Sequence, residues 1–249
     1  TYDPRLVAVD LDGQPGLILT FAVDTVNGLR AGTAISSNGR EWTAVSLGPP
    51  DNRNQAVFPD RIDGTWLRLE RPMQSYGGEA MGAGRFGIWL SRSPDLRYWG
   101  DTRFVCNDAL FPFANDKLGP GPPPILTDAG WLCIIHAVNH DPTAGKRGWE
   151  TTWQRTYHAA ALLLDRDDPS QIVAVADEPL LSPDPAYRYE TDGYRSDVVF
   201  PGGAVVVDNG GVDELWVYYG AADTTIALAT APLDDVVDFV LSGPGRRSR

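Results

Sequence analysis

The chain has 249 residues, of which 43% are hydrophobic, enough to build a sizeable core in one or two domains. Its 33 acidic and 21 basic residues give a formal net charge of −12, which disfavours a nucleic-acid-binding or anionic-membrane-binding surface. No apolar run in the sequence approaches the roughly 20 residues of a membrane-spanning helix. Any anion that the protein binds must therefore be held by a local group of cations rather than by the overall charge.

The few cysteines and histidines make disulfide bonds and metal sites unexpected. Cys106 and Cys133 are too few for a disulfide framework, and neither is spaced as a metal ligand with the three histidines. We expect both to be reduced, buried thiols. No signal peptide is visible, and a cytoplasmic location is expected. No cluster of His, Asp or Glu has ligand spacing, so neither a metal nor an organic cofactor is expected.

A pattern of strands recurs four times along the chain. An apolar strand leads through a turn with Asp or Gly to a strand rich in Leu, Trp, Tyr and Val, and a third strand then ends in a small-residue or acidic turn. The middle strands are 16–23, 65–72, 131–138 and 214–223, and the third strands are 31–42, 86–99, 157–172 and 224–239. Strand-rich repeats about 50 residues or more apart are typical of a β-propeller. A β-sandwich would not produce this recurring order.

The first two repeats share a corner. Ser-x-x-Gly and Ser-x-x-Leu stand three residues before Trp42 and Trp99, which indicates an aromatic side chain closing the same turn twice. The second repeat also contains a glycine-rich stretch at 76–87, which we expect to be a mobile loop at the rim.

The segment 117–136, KLGPGPPPILTDAGWLCIIH, is the most informative stretch. Its glycines and prolines exclude a helix and leave few backbone N–H groups to pair in a central strand. The part ILT-DAG-WLCII predicts a hairpin. Because Lys117 stands at its entrance and His136 at its far end, we interpret the segment as the wall of a polar site.

The remaining segments are less regular. The third repeat is enlarged by 139–156, which is expected to form a loop over one face of the disc. One short helical turn is expected at 233–240, and 243–249 is expected to be a disordered tail. We predict a single β-propeller domain over residues 1–249.

Four groups of polar residues could carry chemistry. Each also has an ordinary explanation as a turn, a solvated loop, a core histidine or a turn cap. Together they provide one or two carboxylates with Arg, Lys, His and Asn, a set that suits a small dianion such as phosphate. Because the inner strands of a propeller converge on its axis, four blades can each contribute a residue. The groups are Asp3-Pro4-Arg5, Asn52-Arg53-Asn54, Lys117 with His136, and Asp223.

At these positions the chain resembles glycoside hydrolase family 130, the β-mannoside phosphorylases and related mannosidases. The resemblance implies an all-β fold, a five-bladed-type β-propeller with about four blades present in this chain, since the family's Asp-Pro-Arg motif follows a first blade. The most specific match is KxGxGPPP followed by the GWL…H strand. The matching segments are Asp3-Pro4-Arg5-Leu6, NRNQAVFPDRIDG, IWLSRSPDLRYWG, KLGPGPPPILTDAGWLCIIHAV, YHAAALLLDRDDPSQI, VVFPGGAVV and LWVYYGAADTTIALATA.

The resemblance also implies a reaction, the inverting phosphorolysis of a β-mannoside to α-mannose 1-phosphate and a shortened sugar. The implied partners are a mannoside oligosaccharide and inorganic phosphate as co-substrate, without nucleic acid or membrane, and the chain is either a monomer or a homo-oligomer. The implied roles are general acid for Asp3, phosphate binding for Arg53, Asn54, Lys117 and His136, and substrate binding for Arg5, Arg71, Tyr157 and Asp223.

Two other functions stay open at this point. An inverting β-mannosidase would use Asp3 as acid and Glu190 or Asp223 as base. A carbohydrate-binding propeller without turnover would use Trp149 and Trp153 as stacking platforms for sugars.

Overall fold

The computed structural model describes residues 1–73, 86–145, 149–150 and 152–243. Within these residues the strands form four antiparallel sheets in a ring, which confirms the all-β fold class and the four blades of a β-propeller. Each blade is built from consecutive strands. The polar residues at the start of each inner strand therefore come from distant parts of the sequence but lie at one end of the ring.

Blade 1 shows the alternation of a sheet with two different faces. In β2, Ile18, Thr20 and Ala22 are buried while the residues between them are partly exposed, as the two-residue period of a strand requires. The strands of blade 1 are β1 (Tyr2–Asp10), β2 (Pro15–Thr25), β3 (Gly28–Ser36) and β4 (Thr43–Pro50).

Blade 2 becomes less buried from its inner to its outer strand. All of β6 except its last residue is buried, whereas β8 is exposed over its first five residues. The strands are β5 (Asn52–Val57), β6 (Trp66–Pro72), β7 (Ile88–Ser93) and β8 (Gly100–Cys106), and a 3₁₀ turn (Asp108–Leu110) leads on to blade 3.

The first two repeats share the predicted turn, and the contact that closes it is seen for Trp99. Asn38 Oδ1 accepts hydrogen bonds from the backbone N–H groups two and three residues later, both at 2.9 Å, and Asp95 Oδ1 does the same at 2.9 and 3.0 Å. Gly39 and Leu96 follow with left-handed φ values of 70° and 65°. Trp99 Nε1 donates to the Leu96 carbonyl oxygen at 3.1 Å, which closes the turn.

Blade 3 contains the predicted hairpin, with Thr127 paired to Gly130. The proline-rich approach does pair after all, since the short strand β9 lies beside β11 with Gly119 opposite His136. Only glycine fits there, because a Cβ would collide with the imidazole ring. The strands are β9 (Lys117–Pro120), β10 (Ile125–Thr127), β11 (Gly130–His140), β12 (Arg155–Leu164) and β13 (Ile172–Val175). The connection predicted at 139–156 is therefore limited to residues 141–154.

The helix after the last strand of blade 4 is longer than the short turn predicted at 233–240. The last helix spans ten residues rather than one short turn, and it buries Leu233, Val236 and Val240, which share one helical face. Asp234 and Asp235 lie in its first turn, where the helix dipole favours negative charge. The elements are α1 (Arg188–Thr191), β14 (Val199–Asp208), β15 (Asp213–Ala221), β16 (Thr225–Pro232) and α2 (Leu233–Ser242).

The core lies between neighbouring blades. Separate apolar clusters join blade 1 to blade 2, blade 2 to blade 3, and blade 3 to blade 4 together with α2. Cys106 and Cys133 belong to the second of these and are free and buried, as predicted. Leu6 of blade 1 and Ile226 and Leu228 of blade 4 are exposed to solvent. That a first blade of the family is missing from this chain stays a prediction.

Two predicted segments fall outside the described residues, namely most of the loop at 76–87 and the tail beyond residue 243. In the described part of the chain, no helix has the length and apolar character to span a bilayer.

Candidate active site

A cavity of about 320 Å³ opens where the inner strands begin, and residues of all four blades line it. Asp3 and Asp223, which are 220 positions apart in the sequence, therefore meet in one site. The predicted site residues found on its lining are Asp3, Arg53, Asn54, Arg71, His136, Tyr157 and Asp223.

Bulges in the inner strands aim two of these side chains. The pairing register shifts between Tyr2 and Arg5 in β1 and between Arg53 and Ala56 in β5. Within these bulges Asp3 and Asn54 adopt left-handed φ values of 52° and 57°. Asp and Asn tolerate this conformation better than most residues, and a bulge redirects a side chain that regular alternation would point elsewhere.

One half of the cavity is cationic. Arg53 lies directly opposite Arg71 in the β5–β6 pairing, an arrangement of like charges that a sheet does not favour by itself. Burial, and next the charge of Arg53, lowers the pKa of Arg71 to about 10. Arg71 Nη1 lies 3.1 Å from His136 Nε2, and Asn54 Nδ2 lies 3.4 Å from the same nitrogen. The sequence resemblance gave Arg71 a role with the sugar, but its guanidinium lies among these residues.

His136 is a neutral hydrogen-bonding group rather than a cation. Burial lowers its pKa well below 6.5, and the charges of Arg71, Arg5, Lys117 and Arg53 lower it further. Because Arg71 donates to Nε2, the hydrogen-bond network assigns the ring proton to Nδ1.

Donors outnumber acceptors in this half. Three of the four buried atoms that have no hydrogen-bond partner among the described residues of the cavity wall are N–H donors, and buried donors are rarely left unpaired in proteins. These atoms are Arg53 Nε, Arg71 Nε, His136 Nδ1 and the acceptor Asn54 Oδ1.

Two predicted residues do not reach the lining. Lys117 lies behind Tyr157, with its Nζ 5.3 Å from the ring centroid. Burial, followed by the charge of Arg71, lowers the pKa of Lys117 to about 8. Arg5 donates from Nε to the carbonyl oxygen of Gly121 at 2.6 Å, so its guanidinium braces the proline-rich wall.

An aromatic stack connects the two halves of the cavity. Tyr157 stacks on His136 at a centroid distance of 5.9 Å and on Trp153 at 5.6 Å. Trp153 Nε1 donates to the Ser196 carbonyl oxygen at 2.9 Å. Of the two tryptophans considered as sugar platforms, Trp153 therefore lines the cavity, whereas Trp149 is exposed outside it.

The other half of the cavity is acidic. Burial raises the pKa of Asp223, the charge of Arg195 lowers it, and the charge of Asp3 raises it again. Arg195 Nη1 donates to Asp223 Oδ2 at 3.3 Å. Arg195 was not among the predicted site residues, although it stands just before β14, the inner strand of blade 4.

Glu190 lies away from the cavity lining. Its Oε1 accepts a hydrogen bond from the Tyr219 hydroxyl at 2.5 Å, and its Oε2 accepts one from the backbone N–H of Asp184 at 2.8 Å. Both oxygens serve the packing of blade 4, which leaves Asp223 as the remaining base for hydrolysis. In the described ranges, no three His, Cys, Asp or Glu side chains are grouped as metal ligands.

The chain is similar in sequence to known mannoside phosphorylases. The chain is 37% identical over 194 residues to a β-1,4-mannooligosaccharide phosphorylase of Ruminococcus albus, covering 78% of this chain and 52% of the relative. It is 31% identical over 237 residues to a 1,2-β-oligomannan phosphorylase of a Thermoanaerobacter species, covering 94% and 69%. The chain spans about half the length of most curated relatives it matches.

A solved structure of a mannoside phosphorylase has a similar fold. The β-1,2-mannobiose phosphorylase of Listeria innocua, in complex with β-1,2-mannobiose, superposes with a TM-score of 0.75 at 26% identity. The superposition covers 95% of this chain and 60% of that one. The family model described as β-1,4-mannooligosaccharide phosphorylase matches residues 1–242, and the chain therefore belongs to glycoside hydrolase family 130.

Proposed function

We propose that this protein is an inverting β-mannoside phosphorylase. The observation that carries the proposal is a single cavity whose lining combines Asp3 and Asp223 with residues whose buried N–H donors have no partner among the described residues. An inverting phosphorylase needs one acid for the leaving oxygen and a bound phosphate as nucleophile, without a second carboxylate to activate water. The relatives named as mannoside phosphorylases give the substrate class.

The donor-rich end suits phosphate. Arg53 and Arg71 offer planar guanidinium groups, which match the oxygens of phosphate better than an ammonium does. Neutral His136 adds an N–H without adding charge, and Asn54 completes the wall. We therefore add Arg71 to the predicted phosphate-binding set, and Lys117 supports that set from behind Tyr157.

The acidic end suits the sugar and the leaving group. Phosphate, held at the cationic end, attacks the anomeric carbon from the face opposite the glycosidic oxygen. As the new C–O bond forms, the bond between the anomeric carbon and the glycosidic oxygen breaks. The glycosidic oxygen takes up the proton of Asp3. The family resemblance suggests that this proton is relayed through a mannosyl hydroxyl. The products are α-mannose 1-phosphate and a shortened sugar. Positioning and electrostatic stabilisation supply most of the rate enhancement.

Phosphate dependence tests this proposal. With β-1,4- or β-1,2-mannosides we expect mannose 1-phosphate to be released only when phosphate is present. Arg53→Ala should raise the KM for phosphate roughly 10- to 100-fold, because a hydrogen bond to a charged group contributes about 1.5–3 kcal/mol. The measurement is the initial rate of mannose 1-phosphate release as phosphate is varied.

The matched control for Arg53 lies in the same blade. Arg103 pairs with Asp101 at 3.3 Å on the outer strand, away from the cavity, and Arg103→Ala should leave the KM for phosphate unchanged. Full activity in phosphate-free buffer, with free mannose as product, would refute phosphorolysis and favour the hydrolase.

Lys117 gives a pH prediction. Since its pKa lies at about 8, the side chain is a cation below that pH and neutral above it. We expect kcat/KM for phosphate to fall as the pH rises through about 8. Lys117→Arg should move the fall to higher pH, because a guanidinium stays protonated there. An equal pH profile in the two proteins between pH 7 and 9 would contradict the assignment of Lys117 to this end.

Two further parts of the proposal concern the setting of the reaction. Inorganic phosphate is the co-substrate, and no organic cofactor is needed for the steps described. The free, buried state of Cys106 and Cys133 supports a reducing compartment such as the cytoplasm.

A further inference from the structure

Arg195 lies where the β11–β12 connection meets blade 4, and it lines the cavity. Its Nε lies 2.5 Å from Oε2 of Glu150, a residue of that connection. Its Nη1 lies 3.3 Å from Oδ2 of Asp223, which follows β15. One guanidinium thus joins two carboxylates that stand 73 positions apart in the sequence.

Aromatic rings and backbone hydrogen bonds fix the position of Arg195. Its Cζ lies 4.7 Å from the ring centroid of Trp153 and 5.6 Å from that of Tyr194, so the guanidinium is held over two rings. The backbone N–H of Glu150 donates to the Tyr194 carbonyl oxygen at 3.0 Å. Arg195 N donates to the Ala222 carbonyl oxygen at 3.2 Å, next to Asp223. The three charged residues are therefore tied together through the main chain as well.

The charges of this group disfavour a role in phosphate binding. Both Nε and Nη1 of Arg195 already point at carboxylates, and the group of Arg195, Glu150 and Asp223 carries a net charge of −1. Asp3 faces the same carboxylate from β1. A phosphate dianion would be repelled here and attracted to the opposite end, whereas a sugar hydroxyl could donate to Asp223.

We propose that Arg195, anchored by Glu150, is a positioning residue that holds the Asp223 carboxylate as a hydrogen-bond acceptor for substrate hydroxyls, so that the β11–β12 connection takes part in sugar binding. This inference rests on the proposed function in that it assigns the substrate to the same cavity. Arg195 acts through Asp223 and not on the reacting atoms.

The pH dependence of sugar binding separates this role from a purely structural one. The charged groups that face Asp223 in the described residues are Arg195, which lowers its pKa, and Asp3 and Glu150, which raise it. Removal of Arg195 should raise the pKa of Asp223, so that the carboxylate takes up a proton at a higher pH. As the solution is acidified, the mannoside affinity of the variant should therefore begin to fall at a higher pH than that of wild type. Because all three side chains are about one-third exposed, the fold itself should lose little stability.

The experiment compares wild type, Arg195→Met, Arg195→Lys and Glu150→Gln by calorimetric titration with β-mannobiose between pH 5 and 8. In Arg195→Met we expect about tenfold weaker mannoside binding at pH 7, the loss expected for a charged acceptor that is no longer held in place. The KM for phosphate and the Tm should stay at wild-type values. Arg195→Lys should restore in part the pH at which mannoside affinity begins to fall. Glu150→Gln removes a negative charge that raises the pKa of Asp223, so it should move this fall in the opposite direction, to lower pH.

Arg188 provides the matched control, since it forms an exposed ion pair with Asp192 at 2.7 Å in the same blade, outside the cavity. Arg188→Met should change neither affinity nor pH profile. The inference would be overturned if Arg195→Met bound mannoside as tightly as wild type and lost affinity at the same acidic pH. A selective loss of phosphate affinity in Arg195→Met would also overturn it.

The calorimetric measurement also keeps the two proposals apart. A wild-type protein that binds mannobiose but releases no mannose 1-phosphate with phosphate present would refute the phosphorylase, while the effect of Arg195→Met on binding would still decide the inference. A wild-type protein that binds no mannoside would overturn both.

Discussion

Replacing Asp3 with asparagine is expected to lower kcat for mannoside phosphorolysis by about 10²- to 10⁴-fold, the usual contribution of a general acid. Asparagine keeps the shape of the side chain but has no acidic proton for the leaving oxygen. The KM for phosphate should stay near the wild-type value, because the phosphate end of the cavity is built by other blades. Steady-state kinetics of mannose 1-phosphate release measure both constants.

The structure offers a matched control for this substitution. Asp12 has a φ of 56°, close to the 52° of Asp3, but it is exposed and pairs with Arg61 at 2.8 Å. Asn tolerates the left-handed conformation at both positions, so both variants should fold. Asp12→Asn should have wild-type kcat. An aryl mannoside whose leaving group needs no proton should restore the rate of Asp3→Asn, and a kcat within threefold of wild type on mannobiose would contradict the assignment.

The largest effect on stability is expected at Glu70, in the buried network beside the Arg53–Asn54 bulge. Glu70 Oε2 accepts hydrogen bonds from Arg68 Nε at 2.9 Å and from Asn52 Nδ2 at 3.0 Å, and it lies 2.7 Å from Arg68 Nη2. Both charged side chains are almost fully buried. Glu70→Ala leaves the guanidinium without its counter-charge, and we expect a loss of about 3–5 kcal/mol in the free energy of unfolding. Urea denaturation at pH 7 measures it.

Two controls sharpen the Glu70 test. The exposed Asp12–Arg61 pair has a single contact at a similar distance, 2.8 Å, and Asp12→Ala should cost less than about 1 kcal/mol. A double variant, Arg68→Met with Glu70→Leu, should be more stable than Glu70→Ala, since it removes both charges from the interior. A Glu70→Ala loss below that of Asp12→Ala would show that water reaches the Arg68 guanidinium.

This network also has a functional consequence. Asn52 and Gln55 flank Arg53 and Asn54 in β5, and Arg68 Nη1 donates to Gln55 Oε1 at 3.0 Å. Loss of the network should therefore loosen the strand that carries part of the phosphate-binding set.

Much of the fold could be predicted from the sequence because it rests on local patterns. The two-residue alternation, the Asp-Gly and Gly-Gly turns and the shared corners before Trp42 and Trp99 repeat along the chain, and each repeat becomes one blade. Several site residues were also visible, because polar residues such as Asp3 and Arg53 stand at the starts of inner strands.

Other features could not be predicted because they arise between segments. The neutral state of His136 results from burial and from cations on four other strands. Arg5 donates a hydrogen bond to the carbonyl oxygen of Gly121, which is 116 positions away in the sequence. The length of α2 was underestimated because its apolar face becomes meaningful only when blades 3 and 4 provide the surface it covers.

The sequence by itself determined the blades, the hairpin and the residue types of the site, since strand period and turn chemistry act over a few neighbouring residues. Only the tertiary structure decided which of those residues share a cavity, which are charged there, and that Arg195 joins Glu150 to Asp223. The physical reason is that desolvation and Coulomb interactions depend on distances through space, which the folded ring sets and the order of residues does not.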